Sequence, residues 1–86
     1  MAKYSLRINK SARKELASIP TKADRRRIIA RIQALADNPR PPGSQKLSGQ
    51  ERYRVRQGRY RILYTIHDNV LTVQVIKIAD RKNVYR

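Results

Sequence analysis

The chain has no cysteine, one histidine, three glycines and only six acidic residues among 86. Without cysteine, neither a disulfide framework nor a thiolate zinc ribbon can form, which fits a reducing cytoplasm. One histidine and a few scattered carboxylates give no cluster at metal-ligand spacing, so no metal and no cofactor is expected. No apolar run approaches the roughly 20 residues needed to cross a bilayer. The first residues, Met1 to Arg7, lack the apolar region of a secretory signal. A soluble cytoplasmic protein with no membrane partner is therefore expected.

What the chain has in excess is positive charge. Lys and Arg total 21 against 6 Asp and Glu, a net charge of +15, and the pI is near 11.3. A field of that size attracts phosphate-rich or acidic partners and speeds encounter with them. Nucleic acid is the first such partner and an acidic protein the second. At this length one domain is expected over residues 1–86, able to bury a little over roughly 60% of its unfolded surface.

The most informative stretch runs from Glu51 to Ile66, where arginines and apolar residues alternate around Gly58. Period-two alternation predicts half-buried strands, and Gln57-Gly58 predicts the turn of a hairpin. Tyr53 and Val55 fall on one face of the first arm and Arg52, Arg54 and Arg56 on the other. On the second arm Tyr60, Ile62, Tyr64 and Ile66 share a face, while Arg59 and Arg61 begin the opposite one. Burying the apolar face leaves the arginines projecting as one basic surface. Tyr53, Tyr60 and Tyr64 are expected in the core, and His67 in a turn away from the arginines.

Elsewhere, alternation from Lys3 to Asn9 predicts a first strand. A helix capped by Asn9 or Ser11 follows, with Ala12, Leu16 and Ile19 at helical spacing and Pro20 as its stop. Thr21 to Asp24 has the form of a capping box. It opens a second helix whose stripe is Ile28, Ile29, Ile32, Leu35 and Ala36, with Arg25, Arg26, Arg27 and Arg31 on the solvated side. Asn38 to Ser44 contains three prolines and a glycine and is a loop. Val70 to Ala79 carries apolar residues on both faces, which predicts a central strand covered on both sides. The expected fold is α+β in two layers: an N-terminal strand, a helical hairpin and a three-stranded antiparallel meander, making a four-stranded sheet with helices on one face.

The segments Lys46-Leu47-Ser48-Gly49, Tyr53-Arg54-Val55-Arg56, Gly58 to Tyr64 and Asp80 to Arg86, in this order and at this length, resemble the RelE family of bacterial toxins within the RelE/ParE superfamily. The resemblance implies an endoribonuclease that enters the ribosomal A site, on the small subunit, to cut messenger RNA by attack of the 2′-hydroxyl. It further implies contacts with ribosomal RNA and a cognate acidic RelB-like antitoxin. That reaction needs a base for the 2′-OH, an acid for the leaving 5′-oxygen and cations aimed at the phosphorane. Arg61 and Arg81 match the family's active-site arginines. Tyr85 matches its near-terminal tyrosine, which orients the substrate nucleotide. Arg54 and Arg56 match positions that carry lysine in well-known members. Lysine can shift its pKa enough to shuttle a proton and arginine cannot readily do so. Many relatives have His where this chain has Asp80, so Asp80 and Glu51 are the nearby carboxylates open to a base role.

The expected catalytic set is thus Arg54, Arg56, Arg61, Arg81 and Tyr85, without a metal. Lys46, Arg52, Arg59 and Lys82 are expected to contact substrate or ribosomal RNA. Two other functions compete. One is a ParE-like inhibitor of DNA gyrase, which shares the fold without needing the arginine cluster. The other is a non-enzymatic module that uses the sheet as a phosphate platform.

Overall fold

The computed structural model describes residues 3–47 and 52–80. The order is β1 (Ser5–Ile8), α1 (Lys10–Ala17), α2 (Lys22–Ala34), β2 (Gln45–Lys46), β3 (Arg52–Gln57), β4 (Tyr60–His67) and β5 (Thr72–Asp80), with a 3-10 turn at Asp68–Val70. The strands form one sheet in the order β1-β5-β4-β3-β2. β1 runs parallel to β5 and the remaining neighbours are antiparallel. The α+β class and the helical hairpin agree with expectation. The fifth strand is the two-residue β2, too short to leave a period-two signature.

Alternation sorts the sheet into two faces. Leu6 and Ile8 stand level with Val73 and Val75, and Tyr53, Val55, Tyr60, Ile62 and Tyr64 share that face by register. It packs against Ala12 of α1 and Ile28 and Ile32 of α2 in one core, joined by Leu35 just beyond that helix. Each fully buried aliphatic side chain contributes about 1.5–3 kcal/mol. Ile29, expected in the helix stripe, is 40% exposed. The buried stripe is narrower, because Ile28, Ile32 and Leu35 at i, i+4 and i+7 already fill the space above the sheet.

Neither predicted side-chain cap forms. Asn9 and Thr21 do occupy the N-cap positions, but neither side chain bonds the helix. Asn9 Oδ1 instead accepts from the Gln74 amide, and Asp24 pairs with Arg27 rather than closing a box. Arg31 also departs from the solvated face: it is half-buried, and its guanidinium lies 3.9 Å from where a Cβ on Gly43 would stand. Arg25 turns inward to donate to the Ile19 carbonyl at 2.5 Å.

β5 is central, between β1 and β4, but the described helices lie on only one of its faces. Its two-faced apolar pattern has another cause. A bulge opposite Leu63 and Tyr64 leaves Ile76 unmatched, with Val75 facing Tyr64 and Lys77 facing Leu63. The inserted residue moves the buried parity from Val73 and Val75 to Ile78. Beyond Val75, where β1 has ended, Glu15 of α1 takes over the strand edge. Its carboxylate accepts from the Ile78 backbone N–H at 2.9 Å and from Lys77 Nζ at 2.8 Å.

The other end of the sheet is tied to the proline-rich loop. Tyr64 donates from its hydroxyl to the Pro39 carbonyl at 2.8 Å and stacks on Tyr53 at 5.8 Å between centroids. Arg40 lies over the Tyr53 ring and pairs with Asp68 at 3.0 Å, while Tyr4 donates to the same carboxylate at 2.5 Å. Arg40 and then Tyr4 hold the Asp68 carboxyl below its ordinary value. A depressed carboxyl stabilises the fold above its unfolded pKa of roughly 3.9 and loses that contribution as pH falls through the folded value. Asp68→Asn should therefore lower the melting temperature near neutrality, and the gap from the parent should close below about pH 4. A gap that stayed constant in acid would show that the carboxylate charge is not what matters.

Candidate nucleic-acid interface

The sheet face opposite the helices carries the arginines. Arg56 stands directly opposite Arg61, Arg54 opposite Leu63 and Arg52 opposite Thr65. Arg52 and Arg56 are exposed and Arg54 is half-buried. Among the described residues Arg61 is the charged side chain that is buried, at 6% exposure. Like charges directly opposite on neighbouring strands oppose pairing by roughly 0.2–1 kcal/mol, and an arginine drawn out of water adds a desolvation cost. Arg56 facing Arg61 sets two guanidinium groups side by side on the open face, an arrangement that suits an anion. Arg54 is oriented by β2, whose Gln45 lies opposite it and accepts from its Nη2.

Two expected contact residues stand elsewhere. Arg59 occupies the Gly58-Arg59 turn, one residue later than expected, with Gly58 at φ +60°. Its guanidinium lies 5.7 Å from the Tyr60 ring centroid and pairs with Asp80 at 2.5 Å, which raises its pKa. Tyr60 and Asp80 share the helix-side register, so Arg59 is drawn away from Arg56 and Arg61. Lys46 sits opposite Tyr53, on the helix-side parity rather than with the arginines. Arg81, Lys82, Tyr85 and Glu51 lie outside the described residues. The last described residue of β5, Asp80, lies opposite Tyr60, beside the register positions of Arg56 and Arg61.

None of the described carboxylates occupies a strand position on the arginine face. Asp80 has the opposite parity and is engaged by Arg59. His67 lies opposite Thr72 while Arg61 lies opposite Ala79; they are six residue steps apart along β4, about 20 Å. Residues that sequence reasoning passed over share the open face by register: Gln45, Thr65, Gln74, Lys77 and Arg7. Alternation assigns a parity within each strand, but the β5 bulge hid that of Lys77, and nothing local placed β1 beside β5. No group of three or more potential metal ligands occurs among the described residues. Nor is any described helix long and apolar enough to cross a membrane.

A small α+β domain whose helices cover one side of a sheet, and whose other side carries a row of arginines, belongs to the class of basic two-layer domains with an open, anion-seeking sheet face. The family model of the ParE toxin of the parDE type II toxin-antitoxin system matches residues 6–85. The chain belongs to this family, within the RelE/ParE superfamily, and is a type II toxin-antitoxin toxin. Among solved structures, the archaeal RelE-RelB complex from Pyrococcus horikoshii is 30% identical, covering 98% of this chain and 100% of that one with a TM-score of 0.83. A mutant E. coli RelE in complex with an antitoxin RelB peptide is 28% identical, covering 99% and 92% with a TM-score of 0.76. The YoeB/ParE toxin from Agrobacterium tumefaciens is 18% identical, covering 88% and 96% with a TM-score of 0.74, a likeness of fold. No curated protein sequence matches the chain.

Proposed function

We propose that this toxin is a ribosome-dependent endoribonuclease that cleaves messenger RNA in the A site. The observation that carries the reading is the buried Arg61 directly opposite Arg56, with Arg54 oriented on the same face. Guanidinium groups donate to two phosphate oxygens at once and stay charged, which suits a phosphodiester passing through an anionic phosphorane. Arg56 and Arg61 stabilise that charge and Arg54 holds an adjoining phosphate. Arg81 and Tyr85 complete the site from the tail, Arg81 as a further clamp and Tyr85 as the group that orients the nucleotide. With arginine at positions 54 and 56, catalysis is chiefly electrostatic and metal-independent. Arg52 and Lys82 contact RNA on the flanks, and Lys46 and Arg59 reach ribosomal RNA around the rim. The net charge of +15 favours an acidic antitoxin partner, and the Pyrococcus and E. coli relatives are themselves complexes with antitoxins.

The test is translation of a defined message by purified ribosomes, with cuts mapped by primer extension and a gyrase supercoiling assay run alongside. A-site cuts with unaffected supercoiling are expected. Inhibited supercoiling without cuts would overturn the reading in favour of a gyrase-directed toxin, the alternative to which the family description lends weight.

A further inference from the structure

The arginine face extends well past Arg56 and Arg61. Four residues farther along β3 and β4, about 13 Å, a second row crosses the sheet: Arg52, Thr65, Gln74 and Arg7 on four successive strands. Its ends are two exposed arginines separated by three strand spacings, roughly 14 Å. Its centre is neutral and polar. Gln74 is fixed through its amide by Asn9, and Thr65 Oγ1 lies 3.1 Å from His67 Nε2. Among the described residues every charged side chain at a strand position on this face is Arg or Lys, and because Lys77 is paired with Glu15 of α1 it is the arginines that carry the positive field from the first row to the second.

We propose that Arg52, Thr65, Gln74 and Arg7 form a second subsite that holds the backbone of single-stranded RNA flanking the scissile phosphate. The proposal rests on the nuclease reading for the first row. The two arginines take phosphates, and the hydroxyl and amide between them face base edges that a duplex would already have used in pairing. The four described tyrosines, Tyr4, Tyr53, Tyr60 and Tyr64, all have helix-side parity. The described part of the face therefore grips RNA by charge and hydrogen bonds rather than by stacking.

The experiment is fluorescence anisotropy of the full chain with 2′-O-methyl oligouridylates of three and nine nucleotides, probes that cannot be cut through the 2′-hydroxyl. The Arg7→Ala/Arg52→Ala double variant, with thermal melting to verify folding, should bind the nine-mer about tenfold or more weakly. Its dependence of log affinity on log salt should be shallower by about 1.4, for two lost phosphate contacts on a single strand. Its affinity for the three-mer should not change, whereas Arg61→Ala should weaken both lengths. Equal loss on both lengths, or no loss on the nine-mer, overturns the subsite, as does equally tight binding of a nine-base-pair DNA duplex by the parent. The two readings fail separately. A double variant that binds the nine-mer normally while the parent still cuts message removes only the subsite. A parent that never cuts but shows the length dependence removes only the nuclease.

Discussion

Arg61→Ala should lower ribosome-dependent cleavage by about a hundredfold or more, the usual cost of removing one donor aimed at developing transition-state charge. The measurement is the single-turnover rate on purified ribosomes carrying a defined codon. Arg61 is buried, so the variant needs a control for folding. Removing one of two opposed arginines relieves like-charge repulsion across β3 and β4 while losing packing of the aliphatic stem. Thermal melting and retained antitoxin binding separate those effects from chemistry. Arg61→Lys sharpens the point, since it keeps the charge but loses the planar two-point donor and should recover only part of the rate. Full activity in both variants would mean that the opposed pair serves some other purpose, and the nuclease proposal would fall.

Ile62→Ala, one residue along the same strand, should act through stability instead. Ile62 is fully buried between Val55 and Ile78 in register. Truncating such a side chain costs about 2–5 kcal/mol. A domain of this size has only about 4–13 kcal/mol to lose, and the melting temperature should fall by about 10 °C or more. Circular dichroism melting reads this directly, with Ile62→Val expected to cost roughly 0.5–1.5 kcal/mol. The rate per folded molecule should change little. A melting temperature within a degree or two of the parent would contradict the packing described for β4. Consecutive residues of one strand thus divide the labour: Arg61 serves the open face and Ile62 the core, because the pleat sends them to opposite sides.

The hairpin is legible in the sequence because each of its arms has one polar face and one buried face. Tyr60, Tyr64 and Val55 fall in the core as their parity requires, and Arg52, Arg54 and Arg56 fall together opposite them. Ile29 departs from expectation because periodicity bounds the width of an apolar stripe only loosely, while the sheet below sets how much of it fits. β5 misleads for a different reason. A one-residue bulge changes which side chains face inward without leaving a mark in composition, so Val75, Ile76 and Ile78 read as a strand buried on both faces. The Asn9 cap is lost because its side chain finds a partner in Gln74, 65 positions away in sequence.

From sequence alone came the charge, the alternation and the resemblance that points to RNA chemistry, since each is carried by neighbouring residues. Tertiary structure decided that Arg56 meets Arg61 across the hairpin, that Gln45 orients Arg54, and that Arg59 turns to Asp80. It also decided that Arg7 from the first strand completes a row begun by Arg52. Local pattern tells which way a side chain points from its own strand. Which strands lie side by side, and in what register, depends on long-range pairing that no short window of sequence contains.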